Sequence, residues 1–257
     1  MQSEEQSVSD LNSPTKSNLA GHWPPSLLRL VLGAVFAAGM GYFVLKTMNP
    51  IFVVPDEIAI FPEASPIELY QRLDKAKFEV DGKNFSIVFG VIGAVFGAIC
   101  VVFSFGARSV KAIIVAVVGS ATMGALGANL SNRLFNNLRE TNGQDLLVWG
   151  FKLDSMWQTT LGYALLWGLI GLGVGLGIGS VRSVGKSLVA GISGLFGGVL
   201  GAMLYVVLTA QFSIGTTMNR VIPDSNTSQA IWLVFVSVVI AVCIALGSGE
   251  KRRKAAA

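Results

Sequence analysis

The chain alternates between six long apolar segments and shorter polar stretches. The apolar segments lie near residues 27–46, 86–105, 112–131, 157–179, 187–210 and 230–248, and none of them contains an acidic residue. A helix needs about 20 mostly apolar residues to cross the roughly 30 Å hydrocarbon core of a bilayer. The pattern therefore predicts an all-α fold, an integral membrane bundle of six transmembrane helices.

Composition agrees with this pattern and sets the domain limits. The 257 residues are 52% hydrophobic and 13% charged, with a mean hydropathy of +0.63, whereas soluble domains carry about a quarter charged residues. We expect a disordered cytoplasmic tail over residues 1–25, a membrane domain over 26–249 and a basic cytoplasmic tail over 250–257. A polar tail precedes the first span and no small-residue cleavage site follows it, which favours a retained span over a signal peptide.

Two of the polar segments between spans carry structural signals. In the outer segment 47–85, Ser65, Pro66 and Glu68 form a capping-box start, which predicts a short amphipathic helix near 66–77. We expect its apolar face to pack on the protein's own spans, with partner or lipid binding as the alternative. The later segment DLLVWGFKL is too short to span, and its Trp149 and Phe151 suit an interfacial anchor.

Basic residues set the expected orientation. They occupy the turn after the second span, the turn after the fourth span and the C-terminal tail. These topology-setting residues are Arg108, Lys111, Arg182, Lys186, Lys251, Arg252, Arg253 and Lys254. Short cytoplasmic loops are rich in Lys and Arg, so we expect both termini to be cytoplasmic and the protein to lie in a bacterial cytoplasmic (inner) membrane. The dispersed positive charge excludes a nucleic-acid surface.

The second and third spans resemble the fourth and fifth. Gly90, Gly93 and Gly97 match Gly168, Gly171 and Gly175, and Ala116, Ser120, Gly124 and Ala128 match Ala190, Gly194, Gly198 and Ala202. The basic turn recurs between the spans of each pair. The chain is therefore predicted to contain two parallel-repeat, glycine-rich hairpins, formed by spans 2–3 and 4–5.

Small residues recur four positions apart in five of the six spans. Such residues let helix backbones approach closely, which favours association in lipid. The predicted helix-packing residues are Gly33, Gly41, Gly90, Gly93, Gly97, Gly124, Gly127, Gly171, Gly175, Gly179, Gly194, Gly198 and Gly201. The sixth span, rich in Val and Ile, has no such stripe and is expected to lie at the periphery or face lipid.

The stretch GLGVGLGIGSVRSVGKS resembles a phosphate-binding loop but fails its spacing. A P-loop needs four residues between its first glycine and Gly-Lys-Ser, whereas Gly179 and Gly185 enclose five. The loop also needs a preceding strand, and an apolar span precedes this one. We therefore expect no nucleotide binding.

These hairpins carry a resemblance to a known group. The chain resembles uncharacterised bacterial polytopic membrane proteins with duplicated glycine-zipper transmembrane hairpins, over roughly residues 26–248. The carriers are LWGLIGLGVGLGIGSVRSVGKSLVAGISGLFGGVLGAML and the matching earlier hairpin. The resemblance implies a single N-terminal span and a closing span, and it brings no activity or site residues.

No catalytic, cofactor or metal site is expected, because no span carries paired ionisable groups. Cys100 and Cys243 suit small core residues. The first functional hypothesis is a non-enzymatic scaffold or assembly component that contacts lipid and other membrane proteins or itself. The alternative is a channel or transporter for a small solute or ion. Its path would be lined by Ser120, Thr122, Asn129, Thr160, Ser193 and Thr209.

Overall fold

The computed structural model describes residues 27–55, 66–106, 109–140, 146–148, 151–153, 155–212 and 221–248. Six helices dominate it: α1 (Leu27–Met48), α2 (Pro66–Phe105), α3 (Val110–Glu140), α4 (Ser155–Ser180), α5 (Val184–Phe212) and α6 (Asn226–Ser248). Two three-residue strands, β1 (Leu146–Val148) and β2 (Phe151–Leu153), pair antiparallel between α3 and α4.

The predicted fold class is confirmed. All six helices are long and apolar enough to cross a membrane. Large apolar side chains point outward along them, among them Leu28, Phe43, Val118 and Phe196, which are between 58% and 68% exposed. Such a surface requires lipid around it, so the chain is an integral membrane protein. The predicted tails at 1–25 and 250–257 lie outside the described residues.

The helices form a closed ring in chain order. Each packs against its sequence neighbours, and α6 closes the ring against α1. Helix α4 also contacts α2 and α6. Of the residues in its most apolar stretch, 72% are buried, against 28–44% in the other five helices. Helix α4 therefore lies on the inner side of this ring and is the most buried helix of the bundle.

Helices α2 and α3 are longer than their predicted spans. Helix α2 begins at Pro66 and continues for 40 residues, about 60 Å at 1.5 Å per residue. The residues predicted near 66–77 are thus its first turns, because no proline interrupts 78–85 and Gly82 is accommodated beside Asn132. Helix α3 runs on to Glu140. We call residues 66–85 and 132–140 the α2–α3 extension.

The two ends of the bundle differ. At the basic-turn end, α2 stops at Gly106, whose φ of 77° suits a glycine that follows a helix, and Ser183 Oγ accepts a hydrogen bond from Lys186 N at the start of α5. At the long-loop end lie residues 49–55, the β1–β2 hairpin and residues 221–225. The hairpin contains the predicted anchor, but Trp149 and the side chain of Phe151 lie outside the described residues.

Candidate functional site

Alternating glycines in α4 serve two opposite faces of that helix. Successive helical residues are rotated by about 100°, so glycines two apart point in nearly opposite directions. Gly171, Gly175 and Gly179 face α5, whereas Gly173 and Gly177 face α3. A helix between two close neighbours needs small residues on both faces, which explains the period of two in GLGVGLGIG.

The contacts on the α5 face are between backbones. A Cβ on Gly171 would overlap the carbonyl of Gly194, and one on Gly175 would overlap the carbonyl of Ala190. A Cβ on Gly179 would lie 2.5 Å from the carbonyl oxygen of Lys186. No side chain fits between α4 and α5 at these positions.

The α3 face depends on glycines that the four-residue spacing did not single out. A Cβ on Gly173 would lie 2.5 Å from Ser120 Cα, and one on Gly177 would lie 2.5 Å from Ala116 Cα. The alternation itself was the signal for these residues, since a period of two on a helix reaches both sides.

The predicted helix-packing glycines lie at five helix–helix interfaces. Gly33 and Gly41 lie between α1 and α2; Gly90, Gly93, Gly97 and Gly124 between α2 and α3; Gly127 between α3 and α4; Gly171, Gly175, Gly179, Gly194 and Gly198 between α4 and α5; and Gly201 between α5 and α6. Among the glycines of α2, contact is closest at Gly93 and Gly97 and looser at Gly90, where an added Cβ would lie 3.4 Å from its nearest neighbour.

Aromatic rings fill the bundle on the long-loop side of these glycines. Trp232 is the hub: its ring centroid lies 5.2 Å from Trp167, 5.4 Å from Tyr163 and 5.9 Å from Phe89. Tyr163 also contacts Phe135 at 5.6 Å. All five side chains are at most 3% exposed, so this aromatic cluster closes the middle of the bundle.

The sixth span lies at the periphery as expected, with 39% of its most apolar stretch buried, and Trp232 adds a buried face that was not predicted. One face of α6 is buried, and a Cβ on Gly197 of α5 would lie 2.8 Å from Ile240 Cα. The other face carries exposed side chains such as Val234 and Leu246. Sequence reasoning missed the buried face because the small residues that admit α6 belong to α5.

A cavity of about 570 Å³ opens at the long-loop end. It is bounded by the end of α1, the α2–α3 extension, the segment before α6 and the first turn of α6. Its lining residues are Asn49, Pro50, Asp74, Lys77, Phe78, Asp81, Phe85, Asn132, Phe135, Asn136, Val221, Ile222, Pro223, Asp224 and Gln229. The cavity meets the aromatic cluster at Phe135, which belongs to both.

Buried amides hold the walls of this cavity. Asn84 Oδ1 accepts hydrogen bonds from the backbone nitrogens of Ile51 (3.1 Å) and Phe52 (2.8 Å), and its Nδ2 donates to the carbonyl of Phe52 at 2.9 Å. Asn132 Nδ2 donates to the carbonyl of Phe78 at 3.3 Å, joining α3 to α2. The chain after α1 and the α2–α3 extension are therefore fixed to each other by side-chain amides.

Gln229 differs from the other amides. Its Nε2 donates to the carbonyl of Pro223 at 2.6 Å, which fixes the orientation of the amide because a carbonyl cannot donate. Its Oε1 accepts no hydrogen bond from the described part of the chain, although the residue is only 8% exposed. A buried acceptor without a donor is costly, and this oxygen has almost no accessible surface, so the protein encloses it although Gln229 is a lining residue of the cavity.

The polar residues proposed to line a path do not come together. Hydroxyls of Ser120, Thr160 and Thr209 donate to carbonyls three or four residues earlier in their own helices, and Ser193 does the same. Thr122 lies on the exposed surface of α3. These hydrogen bonds lie within helices rather than between them, so the hydroxyls do not form a polar chain from one helix to the next.

At the basic-turn end, the resemblance to a phosphate loop disappears. Gly185, Lys186 and Ser187 form the first turn of α5, a helix precedes them, and Ser187 Oγ donates to the carbonyl of Leu176 at 2.7 Å. Lys186 and Lys111 are exposed. Arg108 and the four basic tail residues, Lys251, Arg252, Arg253 and Lys254, lie outside the described residues.

Arg182 has a structural contact that its charge alone did not predict. Its Nη1 donates to the carbonyl of Ser248 at 2.8 Å. Ser248 is the last residue of α6, where a cation interacts favourably with the helix dipole. The basic turn after α4 thus holds the end of the sixth helix.

The described residues contain no group of three His, Cys, Asp or Glu side chains placed to hold a metal ion. Cys100 is buried, Cys243 is half-buried, and both are free thiols. Comparison of the chain with protein-family models, with curated proteins and with solved structures finds no match.

Proposed function

We propose that this chain is a non-enzymatic scaffold or assembly component of a membrane. The observation that carries the proposal is the exposed start of α2, where Ile67 is 70% and Tyr70 is 68% exposed. These side chains are three residues apart and share one face of the helix. Within the described part of the chain, this face is not packed on the protein's own spans at either residue.

Lipid cannot cover this face, because α2 carries it too far from the membrane span. The predicted membrane span of α2 starts at Ser86, so Ile67 lies about 28 Å further along the helix at 1.5 Å per residue. The bilayer's polar region is far thinner than that on each side. The partner we propose is another membrane protein, or a second copy of this chain, that contacts the α2–α3 extension.

A photo-crosslinking amino acid at position 70 tests the scaffold. Position 196 is the matched control, because Phe196 is 65% exposed on the transmembrane part of α5. We expect a discrete protein adduct at 70 in living cells, lost on Ile67→Glu, and none at 196. No adduct at 70, or the same adduct at 196, would contradict the proposal.

We further propose that the two hairpins arose by duplication. The supporting observation is that matched positions make matched contacts. A Cβ on Gly93 would overlap the Ser120 carbonyl, and in the second hairpin a Cβ on Gly171 would overlap the Gly194 carbonyl. In the same way, Gly97 faces Ala116 and Gly175 faces Ala190. Finally, Gly124 faces the Phe89 carbonyl and Gly198 faces the Trp167 carbonyl.

The proposed orientation places the basic-turn end and both termini in the cytoplasm of a bacterium. The repeated basic turns support it. Reporter fusions after residues 110, 185 and 255 should then report cytoplasm, and fusions at 60, 143 and 220 the outer compartment. Opposite signals at the two turns would refute this topology.

A channel or transporter remains the second candidate, and the cavity at the long-loop end favours it. Passage beyond Phe135 would require the rings of Tyr163 and Trp232 to separate. Solute-induced swelling of proteoliposomes tests this candidate. Solute flux that rises on Trp232→Ala would favour transport. Equal swelling of liposomes with and without the protein would refute the channel or transporter candidate.

A further inference from the structure

Helix α3 exposes more of its membrane-spanning part than the other described helices. Only 28% of its most apolar stretch is buried, against 39–72% in the other five. Its outward side chains follow one another mostly at four-residue intervals and so form one continuous surface along the helix. The four apolar residues of this surface are between 38% and 58% exposed. We call it the α3 outer face, made of Ile114, Val118, Thr122, Leu126, Asn129 and Leu130.

Two polar side chains lie along the middle of the α3 outer face. Thr122 and Asn129 are seven residues apart, which is about two helical turns, so they share one line along the helix. Val118 and Leu126 lie about 40° to either side of Thr122 around the helix axis. Thr122 is exposed and Asn129 is half-buried. Leu126 and Leu130, which flank Asn129 along the helix, are 48% and 38% exposed, so apolar surface surrounds both polar groups.

Neither polar side chain has a hydrogen-bond partner in the described part of the chain. Other hydroxyls of the spans, such as those of Ser104 and Thr209, donate to the carbonyl four residues earlier. The amide of Asn129 has two N–H donors and an acceptor oxygen, and the backbone groups of its own helix are already paired. The hydrocarbon core of a bilayer holds no water that could satisfy them. The α3 outer face therefore favours a partner that carries hydrogen-bonding groups, which lipid tails lack.

A second copy of this chain has matching groups at the required places. Two copies inserted in the same orientation can be related by a twofold axis along the membrane normal, and residues near such an axis meet their own equivalents. An asparagine amide donates and accepts hydrogen bonds, and so does a threonine hydroxyl. Each group is thus complementary to itself. Hydrogen bonds of this kind hold membrane helices together, and an asparagine at one heptad position specifies pairing in coiled coils.

We propose that the protein forms a homodimer in the membrane through the α3 outer face, with Asn129 opposite the partner's Asn129 and Thr122 opposite the partner's Thr122. The face ends at Lys111 and Arg133, each about 16 Å from Thr122 along the helix. Both are exposed and lie towards the aqueous sides, where salt screens repulsion between the copies. The dimer does not depend on the contact proposed for the α2–α3 extension, so either can fail without the other.

Association of the purified full chain in liposomes tests the dimer. Copies fused at the C-terminus to donor and acceptor fluorescent proteins are mixed, and energy transfer is measured as lipid dilutes the protein. We expect a dimer that dissociates on dilution. Thr122→Val combined with Asn129→Leu should dissociate at about tenfold higher protein density, because the hydrogen bonds between the helices are lost. Thr47→Val is the matched control, since the exposed hydroxyl of Thr47 already donates to the carbonyl of Phe43 in its own helix.

Disulfide trapping locates the contact. Cys243 is replaced by alanine, while Cys100 is buried and can stay. Oxidised Thr122→Cys should then run as a covalent dimer, and Phe196→Cys, at a 65% exposed position of α5, should stay monomeric. Absence of energy transfer at every protein density would mean that lipid or another protein covers the face, and would overturn the proposal. So would unchanged dissociation of the double variant, or trapping at 196 that equals trapping at 122.

Discussion

Adding one methyl group at Gly198 should separate helices α4 and α5. A Cβ there would lie 2.6 Å from the backbone nitrogen of Gly168 and closer still to the carbonyl of Trp167. Carbon atoms normally contact their neighbours at about 3.5–4.0 Å. Gly198→Ala therefore requires α4 and α5 to move apart by about 1 Å.

The cost follows from that displacement. A gap of 0.5–1 Å forfeits roughly a quarter to a half of each dispersion contact, and overpacking of this kind costs about 1–3 kcal/mol in a tight core. Alanine is also the better helix former by roughly 0.5–1 kcal/mol, which offsets part of the cost. A control glycine must therefore carry the same helix-propensity gain.

Gly39 is that control. It is an exposed glycine in α1, and a Cβ placed on it would meet no atom within 4 Å. The difference between Gly198→Ala and Gly39→Ala cancels the propensity gain and leaves the packing cost of about 1–3 kcal/mol. Gly124→Ala should resemble Gly198→Ala, because its Cβ would overlap the Phe89 carbonyl.

Reversible unfolding by SDS in mixed micelles measures these free energies. We expect Gly39→Ala to unfold at or above the wild-type SDS fraction, and Gly198→Ala and Gly124→Ala clearly below it. Membrane insertion should be unaffected, since alanine suits lipid as well as glycine does. Equal unfolding free energies for Gly198→Ala and Gly39→Ala would refute the reasoning that backbone contact between α4 and α5 needs glycine.

Three further outcomes are expected. Arg182→Gln should lower the free energy of unfolding by about 1.5–3 kcal/mol, because the contact with the end of α6 is lost. Lys111→Gln, at an exposed position, should leave the free energy of unfolding in SDS unchanged. Similar losses in both variants would show a general effect of removing positive charge. Asn84→Ala should speed proteolysis near residues 51–52 at least several-fold, because three hydrogen bonds from Asn84 hold that backbone. Lys83→Ala is the control, and cleavage of Asn84→Ala at the wild-type rate would contradict this role of the three hydrogen bonds. Purified protein should show no saturable ATP binding, and binding that is lost on Lys186→Ala would overturn the assignment of that stretch to a transmembrane helix and its turn.

The sequence determined the number and positions of the spans. Hydrophobic length is a local property, so 20 apolar residues predict a crossing without knowledge of any neighbour. The described helix ends lie within about four residues of prediction for α1, α4, α5 and α6. Gly171, Gly175 and Gly179 could be recognised as a packing stripe for the same local reason.

Only the tertiary structure decided which faces pack and against what. Lipid is as apolar as a protein interior, so spans are apolar all round and lack the amphipathic pattern that marks the buried face of a soluble helix. The sequence therefore gave no sign that α4 is the most buried helix, that Gly173 and Gly177 serve a second face, or that Trp232 makes α6 part of the core.

The cavity was equally invisible in the sequence. Its walls come from the end of α1, the α2–α3 extension and the segment before α6, which are far apart along the chain. Asp74, Asp224 and Gln229 each suit a solvated loop or helix end when considered alone. They line one cavity because the ring of helices closes α6 against α1, and that closure depends on long-range packing that no local pattern encodes.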